Sequence, residues 1–103
     1  MTIPERVAAG AKWLDENVGL DWHTKVNLTK FDMVDPCRCV LGWVFKVESG
    51  RWCGFSSGSD EVFQMGQDVM DLGFDSYGES GEYQLLQAEW IRVIKERNEN
   101  VTK

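Results

Sequence analysis

The fold class of this chain follows from residues 2–19, TIPERVAAGAKWLDENVG. The stretch opens with a capping box, in which the side chains of Thr2 and Glu5 can each accept a hydrogen bond from the other residue's backbone N–H. Apolar residues then recur with helical spacing at Val7, Ala11, Leu14 and Val18. Gly19 follows as a stop signal. The pattern predicts an amphipathic helix from Ile3 to Asn17.

The segment between residues 20 and 35 carries a weaker signal. Asp21 can cap a short helical turn from Trp22 to Val26, and scattered apolar residues are expected to anchor irregular chain after it. Asp35-Pro36 is a second helix start, because Asp caps well and Pro suits the first helical turn. The apolar residues that follow with helical spacing are Cys37, Val40, Leu41, Val44 and Phe45. A buried helix is predicted there.

A small β-hairpin competes with that helix near residues 43–55. Glu48-Ser49-Gly50-Arg51 can form a turn between strands at Trp43–Val47 and Arg51–Phe55. Composition predicts a loop from Gly54 to Gly58, since the stretch is rich in glycine and serine. Helix and hairpin stay open as alternatives.

Two further helices are predicted in the second half of the chain. One is capped by Ser59 and runs to Leu72, with Asp60 and Glu61 in its first turn. Its apolar stripe is formed by Val62, Met65, Val69 and Leu72, and Phe63 and Met70 add to that face. Gly73 in the left-handed conformation, with Phe74 folded back, would end it. The last helix is predicted to start near Ser80–Glu82 and to fray past Arg97.

Size and composition indicate a single folded domain. The chain has 103 residues, of which 43% are hydrophobic, and its five Trp and five Phe can anchor one core with large rings. About four helices joined by loops of irregular length predict a compact all-α fold. That domain covers residues 1–103, with a polar tail from about residue 98.

Charge and cysteine usage narrow the function classes. No apolar stretch approaches the roughly 20 residues that span a bilayer, and no signal peptide is recognisable, so no membrane association is expected. Three cysteines, an odd number, argue against a disulfide scaffold and favour a cytoplasmic location. A net charge of −6 disfavours direct nucleic-acid binding and points to protein partners.

A metal- or redox-dependent protein is one alternative. Cys37, Cys39, Cys53 and His23 include enough side chains for a four-ligand zinc site. On one helix, however, Cys37 and Cys39 would lie about 200° apart around the axis and could not coordinate the same ion. The cysteines are therefore interpreted as reduced, small hydrophobic residues, and neither a cofactor nor a catalytic site is predicted. The glycines form no nucleotide-binding motif.

Acidic residues are concentrated in the second half. Residues 52–91 contain no Lys or Arg but many Asp and Glu. Helix capping does not account for Asp68, Asp71 and Asp75, which would lie toward the C-terminal end of their predicted helix, where the dipole disfavours negative charge. A solvated face is the simpler interpretation, and a contact surface for a basic partner is the functional one.

Aromatic residues cluster in the least regular part of the chain, at Trp22, Trp43, Trp52 and Phe55. Core filling is the simpler interpretation. If exposed, Trp52 and Phe55 would serve as interface anchors beside the acidic surface. A self-associating structural module, in which tryptophans form a homodimer interface, is a further alternative.

Several segments together carry a resemblance to a known group of proteins. They are Arg6–Asp15, Asn27-Leu28, Phe31-Asp32-Met33, Cys37-Arg38-Cys39-Val40-Leu41-Gly42, Leu72–Asp75, and Tyr83, Leu86 and Trp90. The chain resembles small uncharacterised proteins of actinobacteriophages, such as mycobacteriophages, and of their hosts. Trp43 stands where these proteins usually carry Gln. The resemblance implies a non-virion accessory protein that acts on a host component.

The leading hypothesis combines these observations. The chain is expected to be a non-enzymatic, phage-type protein of the bacterial cytoplasm that binds a host protein and modulates it. Asp68, Asp71, Asp75, Trp52 and Phe55 are the predicted contact residues.

Overall fold

The computed structural model describes residues 2–46 and 54–101 of the chain. Within these ranges the chain forms helices and turns and contains no strand. The elements in chain order are α1 (Ile3–Asn17), a 3-10 turn (Trp22–Lys25), α2 (Val40–Val44), α3 (Gly54–Gln64) and α4 (Glu82–Val101). The prediction of an all-α single domain is confirmed. The Cα radius of gyration of 12.6 Å is typical of a packed domain of this length.

The bounds predicted for α1 are confirmed. The Thr2 hydroxyl accepts a hydrogen bond from the Glu5 N–H at 3.2 Å, and the Glu5 carboxylate accepts one from the Thr2 N–H at 3.1 Å. At the other end, Gly19 has a φ of 141° and donates its N–H to the Leu14 carbonyl at 3.1 Å. Local capping signals therefore determine both ends of this helix.

The 3-10 turn lies where a short helical turn was predicted, but its cap differs. The side chain of Asp21 makes no capping hydrogen bond. Instead the Asp21 carbonyl accepts bonds from the N–H and the hydroxyl of Thr24, at 3.0 Å and 2.7 Å. The predicted position is confirmed, whereas the predicted role of the Asp21 carboxylate is wrong.

α2 begins later than predicted. Asp35 does cap a turn, since its Oδ1 accepts from the Cys37 N–H at 2.8 Å, but that turn ends before α2 starts. Cys39 then caps α2, with its Sγ accepting from the Gly42 N–H at 3.4 Å. A Cβ on Gly42 would lie 2.6 Å from the Pro36 carbonyl oxygen, so the turn and the helix pack too closely for any larger residue. The helix start predicted at Asp35-Pro36 is therefore wrong.

The described ends of the alternative hairpin are helical. Trp43 and Val44 belong to α2, and Gly54 and Phe55 belong to α3. Residues 47–53, which include the predicted turn, lie outside the described residues.

α3 occupies a segment that composition predicted to be a loop. Gly54 and Gly58 are one helical turn apart and both face α2. A Cβ would lie 2.5 Å from the Gly42 carbonyl oxygen at Gly54 and 2.7 Å from the Phe45 ring at Gly58. These glycines let two helices approach closely, a role that composition alone does not distinguish from chain breaking. The loop prediction for this segment is wrong.

α3 also ends earlier than predicted. Gly66 has a φ of 77°, and its N–H donates to the Phe63 carbonyl at 3.0 Å. The Gln67 N–H donates to the Val62 carbonyl, also at 3.0 Å. This pair of bonds is a Schellman motif, which reverses the chain after Gln64. The predicted helix is therefore wrong at both ends, since α3 runs from Gly54 to Gln64 and Ser59, predicted as its cap, lies inside it.

A second Schellman motif ends the following turn. Gly73 has a φ of 72°, and the Phe74 N–H donates to the Val69 carbonyl at 2.8 Å. The predicted conformation of Gly73 and the inward fold of Phe74, which is buried, are confirmed. They close a separate turn rather than α3 itself.

Aromatic rings form the centre of the core. Trp13 meets Phe74 edge-on at 6.1 Å between ring centroids, Phe74 stacks on Trp90 at 5.5 Å, and Trp90 meets Trp22 edge-on at 5.9 Å. Trp22 and Trp90 are fully buried. The Trp90 indole N–H donates to the Gly73 carbonyl at 2.7 Å, which satisfies its polar group. The interpretation of Trp22 as a core residue is confirmed.

α4 starts at Glu82, as predicted, and continues beyond Arg97 to Val101. Arg97 donates to the Asp15 carboxylate of α1 at 2.7 Å. The amide oxygen of Asn98 lies 2.7 Å from Nδ1 of His23. These contacts hold the helix where the sequence predicted fraying. No helix in the described ranges is long and apolar enough to cross a membrane.

Candidate functional site

Asp68, predicted as a contact residue, does not lie at the C-terminal end of a helix. Its Oδ1 accepts a hydrogen bond from the Met70 N–H at 2.8 Å, at the beginning of the turn that follows α3. Free N–H groups at the start of a turn favour a carboxylate. The electrostatic anomaly inferred from the predicted helix therefore disappears, and the position of Asp68 has a local explanation.

Asp71 and Asp75 lie before α4 and accept hydrogen bonds from the loop that leads to it and, for Asp75, also from α4 itself. The Asp71 carboxylate accepts from the Tyr77 hydroxyl. Oδ1 of Asp75 accepts from the Tyr83 hydroxyl at 2.6 Å and from the Ser76 N–H at 2.9 Å. The hydrogen bond to Asp75 raises the pKa of Tyr83 to about 12, because the carboxylate stabilises the protonated phenol. Substituting either aspartate would thus disturb the loop as well as the surface.

Three of the five predicted contact residues are divided between two hollows, and Asp71 lines neither of these two. Phe55 and Asp75 line a hollow of about 200 Å³. Asp68 lines a different hollow of about 140 Å³ at the end of α3. Phe55 is half-buried, and Trp52 lies outside the described residues. The structure therefore brings Phe55 and Asp75 together and places Asp68 elsewhere.

Two exposed apolar side chains, two residues apart in the sequence, lie at the end of α3. The side chains of Phe63 and Met65 are 80% and 54% exposed. Asp60 lies one helical turn before Phe63, and Glu61 lies one turn before Met65. Phe63 also shares its hollow with Asp68. We call these residues, Asp60, Glu61, Phe63, Met65 and Asp68, the α3 patch.

The sequence pattern missed this patch because it assigned the wrong length to the helix. A helix continuing to Leu72 would place Met65 on the buried stripe with Val62. The Schellman motif at Gly66 ends the helix, so Val62 is buried and Met65 is exposed. The available signal was Gly66, which is as strong a stop residue as Gly73.

The cysteines differ from one another in chemical state. Cys37 is disulfide-bonded, which corrects the expectation of a reduced thiol at that position and removes the support that reduced cysteines gave to a cytoplasmic location. Cys39 is a buried free thiol, and burial raises its pKa to about 11. A thiol with that pKa is almost wholly protonated at neutral pH and is a poor nucleophile. Cys53 lies outside the described residues.

His23 is buried and hydrogen-bonded. Its Nδ1 lies 2.7 Å from the Asn98 amide oxygen, and its ring meets Trp22 edge-on at 5.9 Å between centroids. Within residues 2–46 and 54–101, no group of three or more His, Cys, Asp and Glu is arranged to hold a metal ion. His23 therefore contributes to the packing of the 3-10 turn on α4.

The chain matches no protein-family model, no curated protein and no solved structure. Its function is therefore inferred from its own residues. The resemblance to actinobacteriophage proteins stays a prediction.

Proposed function

We propose that this chain is a non-enzymatic accessory protein of phage type that binds a host protein and modulates it. The α3 patch is the proposed contact surface. The observation that carries the proposal is the exposure of Phe63, which is 80% accessible at a helix end surrounded by carboxylates.

Apolar burial supplies the first part of the binding energy. Covering a Phe side chain contributes roughly 1.5–3 kcal/mol, and the flexible thioether of Met65 can adapt to the shape of a partner surface. Isolated exposed apolar residues are common on protein surfaces, so Phe63 supports the proposal through its high exposure together with the carboxylates near it. A Phe side chain that a partner covers is a typical interface anchor.

Electrostatics supplies the selectivity. Asp60 and Asp68 lie near Phe63, Glu61 lies one turn before Met65, and residues 54–91 contain no Lys or Arg. Such a surface attracts a partner with basic groups around an apolar pocket and repels acidic proteins. Because the charges are exposed, salt is expected to weaken the association.

A pull-down from actinobacterial lysate with the full chain as bait tests the proposal. The wild-type chain is compared with Phe63→Ser and with the triple variant Asp60→Asn/Glu61→Gln/Asp68→Asn. The Asn at position 68 can still accept the hydrogen bond from Met70, so the turn is retained. We expect a partner that both variants recover at least about tenfold less well, a change that corresponds to about 1.4 kcal/mol.

Leu85→Ser is the matched control for the apolar change, since Leu85 is 59% exposed on α4. Glu16→Gln/Glu79→Gln/Glu96→Gln is the control for the charge change, because it removes three exposed carboxylates elsewhere. Both controls are expected to recover the partner like the wild type. Recovery of no partner at all, or equal recovery by the Phe63 variant, would refute the proposal.

A further inference from the structure

A trough lies between the loop of residues 31–36 and α4. One hollow of about 410 Å³ has Asp32, Val34 and Ile91 on its walls. The hollow of about 200 Å³ that contains Asp75 adjoins it, because Val34 and Tyr83 line both. We call the two adjoining hollows the trough.

Hydrogen bonds hold the loop side of the trough in place. The Met33 N–H donates to the Gln87 side-chain oxygen at 3.1 Å, which fastens the loop to α4. The Asp32 N–H donates to the Arg38 carbonyl at 3.1 Å, and Oδ1 of Asp32 accepts from the Val34 N–H at 3.0 Å. A ligand would therefore meet a surface that is already ordered, which lowers the entropy cost of binding.

Val34 and Tyr83 line both hollows of the trough, and each hollow has one carboxylate on its walls. Val34 is 66% exposed, although it lies beside the half-buried residues Tyr83 and Ile91. Asp32 lines one hollow and Asp75 lines the other, and no Lys, Arg or His among the described residues lines either. The local field therefore favours a positively charged ligand.

Both carboxylates keep capacity for an external cation. In the described ranges, Asp32 and Asp75 accept their hydrogen bonds through Oδ1, and neither forms an ion pair. A carboxylate has about four acceptor sites on its two oxygens. Gln84, which is exposed on the α4 wall, adds an amide that can both donate to and accept from a peptide backbone.

We propose that the trough binds a short extended segment of a partner protein, in which an apolar side chain is flanked by Lys or Arg. The apolar side chain covers Val34 and Tyr83, and the flanking cations face Asp32 and Asp75. This proposal rests on the proposed function only in assigning a protein partner. Its residues are separate from the α3 patch, so the experiments can refute one of the two binding surfaces without refuting the other.

A peptide titration followed by ¹⁵N NMR of the full chain tests the proposal. The probe is a Gly-Lys-Leu-Lys-Gly peptide, and the comparison peptides replace both Lys by Glu or the Leu by Ser. We expect saturable shifts at Val34, Gln84 and Ile91 with the probe and weaker binding of both comparison peptides. Raising the salt concentration from about 0.01 M to about 0.15 M is expected to weaken binding of the probe peptide, because salt screens its attraction to the carboxylates.

Two variants identify the site. Asp32→Asn removes a charge and keeps an oxygen that can accept from the Val34 N–H, and Val34→Ser removes an exposed apolar side chain. Each is expected to weaken binding of the peptide by about fivefold. The matched charge control is Asp21→Asn, because Asp21 is exposed and lies outside both the trough and the α3 patch, and this variant is expected to bind like the wild type.

Three outcomes would overturn the proposal. They are the absence of saturable shifts, equal binding of the Glu peptide, and unchanged binding by Asp32→Asn. Shifts that appear at Phe63 and Met65 instead would assign peptide binding to the α3 patch. That result would refute the trough and leave the proposed function standing.

Discussion

The guanidinium of Arg6 donates to the carboxylate of Glu82 at 3.0 Å, and both side chains are buried. The pair joins the first turn of α1 to the first turn of α4. Arg6 also donates to the carbonyls of Met70 and Asp75, each at 2.8 Å. One side chain therefore holds two helices and the loop between the Schellman turns and α4 together.

Removing either partner of this pair is expected to destabilise the fold strongly. Arg6→Met and Glu82→Leu should each lower the free energy of unfolding by about 3–5 kcal/mol, because the remaining charge is buried without its counter-ion. Arg6→Lys should also be destabilising, since an ammonium group does not reproduce the forked set of hydrogen bonds. Urea unfolding of purified protein measures these changes.

Lys12→Gln is the control for that series. It removes an exposed ion pair with Glu16, whose N–O distance is 3.9 Å, and we expect essentially unchanged stability. An Arg6→Met variant as stable as the Lys12→Gln variant would contradict the role assigned to Arg6.

Alkaline pH is expected to destabilise the protein through Cys39. Burial raises the pKa of this thiol from its ordinary value of 9.0 to about 11 in the folded state. Below pH 9 the thiol is mostly protonated in both the folded and the unfolded state, so its contribution to the free energy of unfolding is fully present. Between pH 9 and pH 11 the unfolded chain releases the proton while the folded chain keeps it, so the free energy of unfolding falls by about 3 kcal/mol.

Urea unfolding at a series of pH values, compared with Cys39→Ala, measures this contribution. The variant lacks the thiol, so its stability should fall less between pH 9 and pH 11. The raised pKa of Tyr83 acts in the same direction in both proteins and cancels in the comparison. Identical pH profiles would show that Cys39 does not carry the effect.

Gly10 is expected to tolerate no side chain. A Cβ at this position would lie 2.0 Å from the Leu72 carbonyl oxygen and 3.0 Å from the Trp90 ring. Gly10→Ala should therefore separate α1 from its neighbours and lower the free energy of unfolding by about 1–3 kcal/mol. Thermal unfolding checks the prediction, with the exposed Ala8→Ser as control. A Gly10→Ala variant more stable than wild type would indicate that α1 packs differently.

Asp15 is expected to be a structural carboxylate. Its Oδ1 accepts from the Trp22 indole N–H at 2.8 Å and from Arg97 at 2.7 Å. Asp15→Ala leaves the indole N–H of a buried ring without this partner, which should cost about 1–3 kcal/mol in urea unfolding. Glu16→Ala changes the neighbouring exposed carboxylate and should have little effect. Equal effects of the two substitutions would contradict the assignment.

Features that depend on contacts between residues close in the sequence were predictable, whereas features that depend on contacts between distant segments were not. The bounds of α1 were predictable because Thr2, Glu5 and Gly19 act on backbone groups within five residues of themselves. The roles of Gly54 and Gly58 were not, because they depend on the position of α2. The position of the trough was unpredictable for the same reason, since its walls come from the loop of residues 31–36 and from α4.

The helical class, the caps of α1 and the acidic balance can be read from the residues alone, since composition and neighbouring backbone groups suffice for these properties. The exposure of Phe63, the burial of Trp22 and the contact between Arg6 and Glu82 depend on the folded arrangement. Burial and long-range ion pairing depend on which distant segments pack together. That packing depends on all segments of the chain together, so no single segment predicts it.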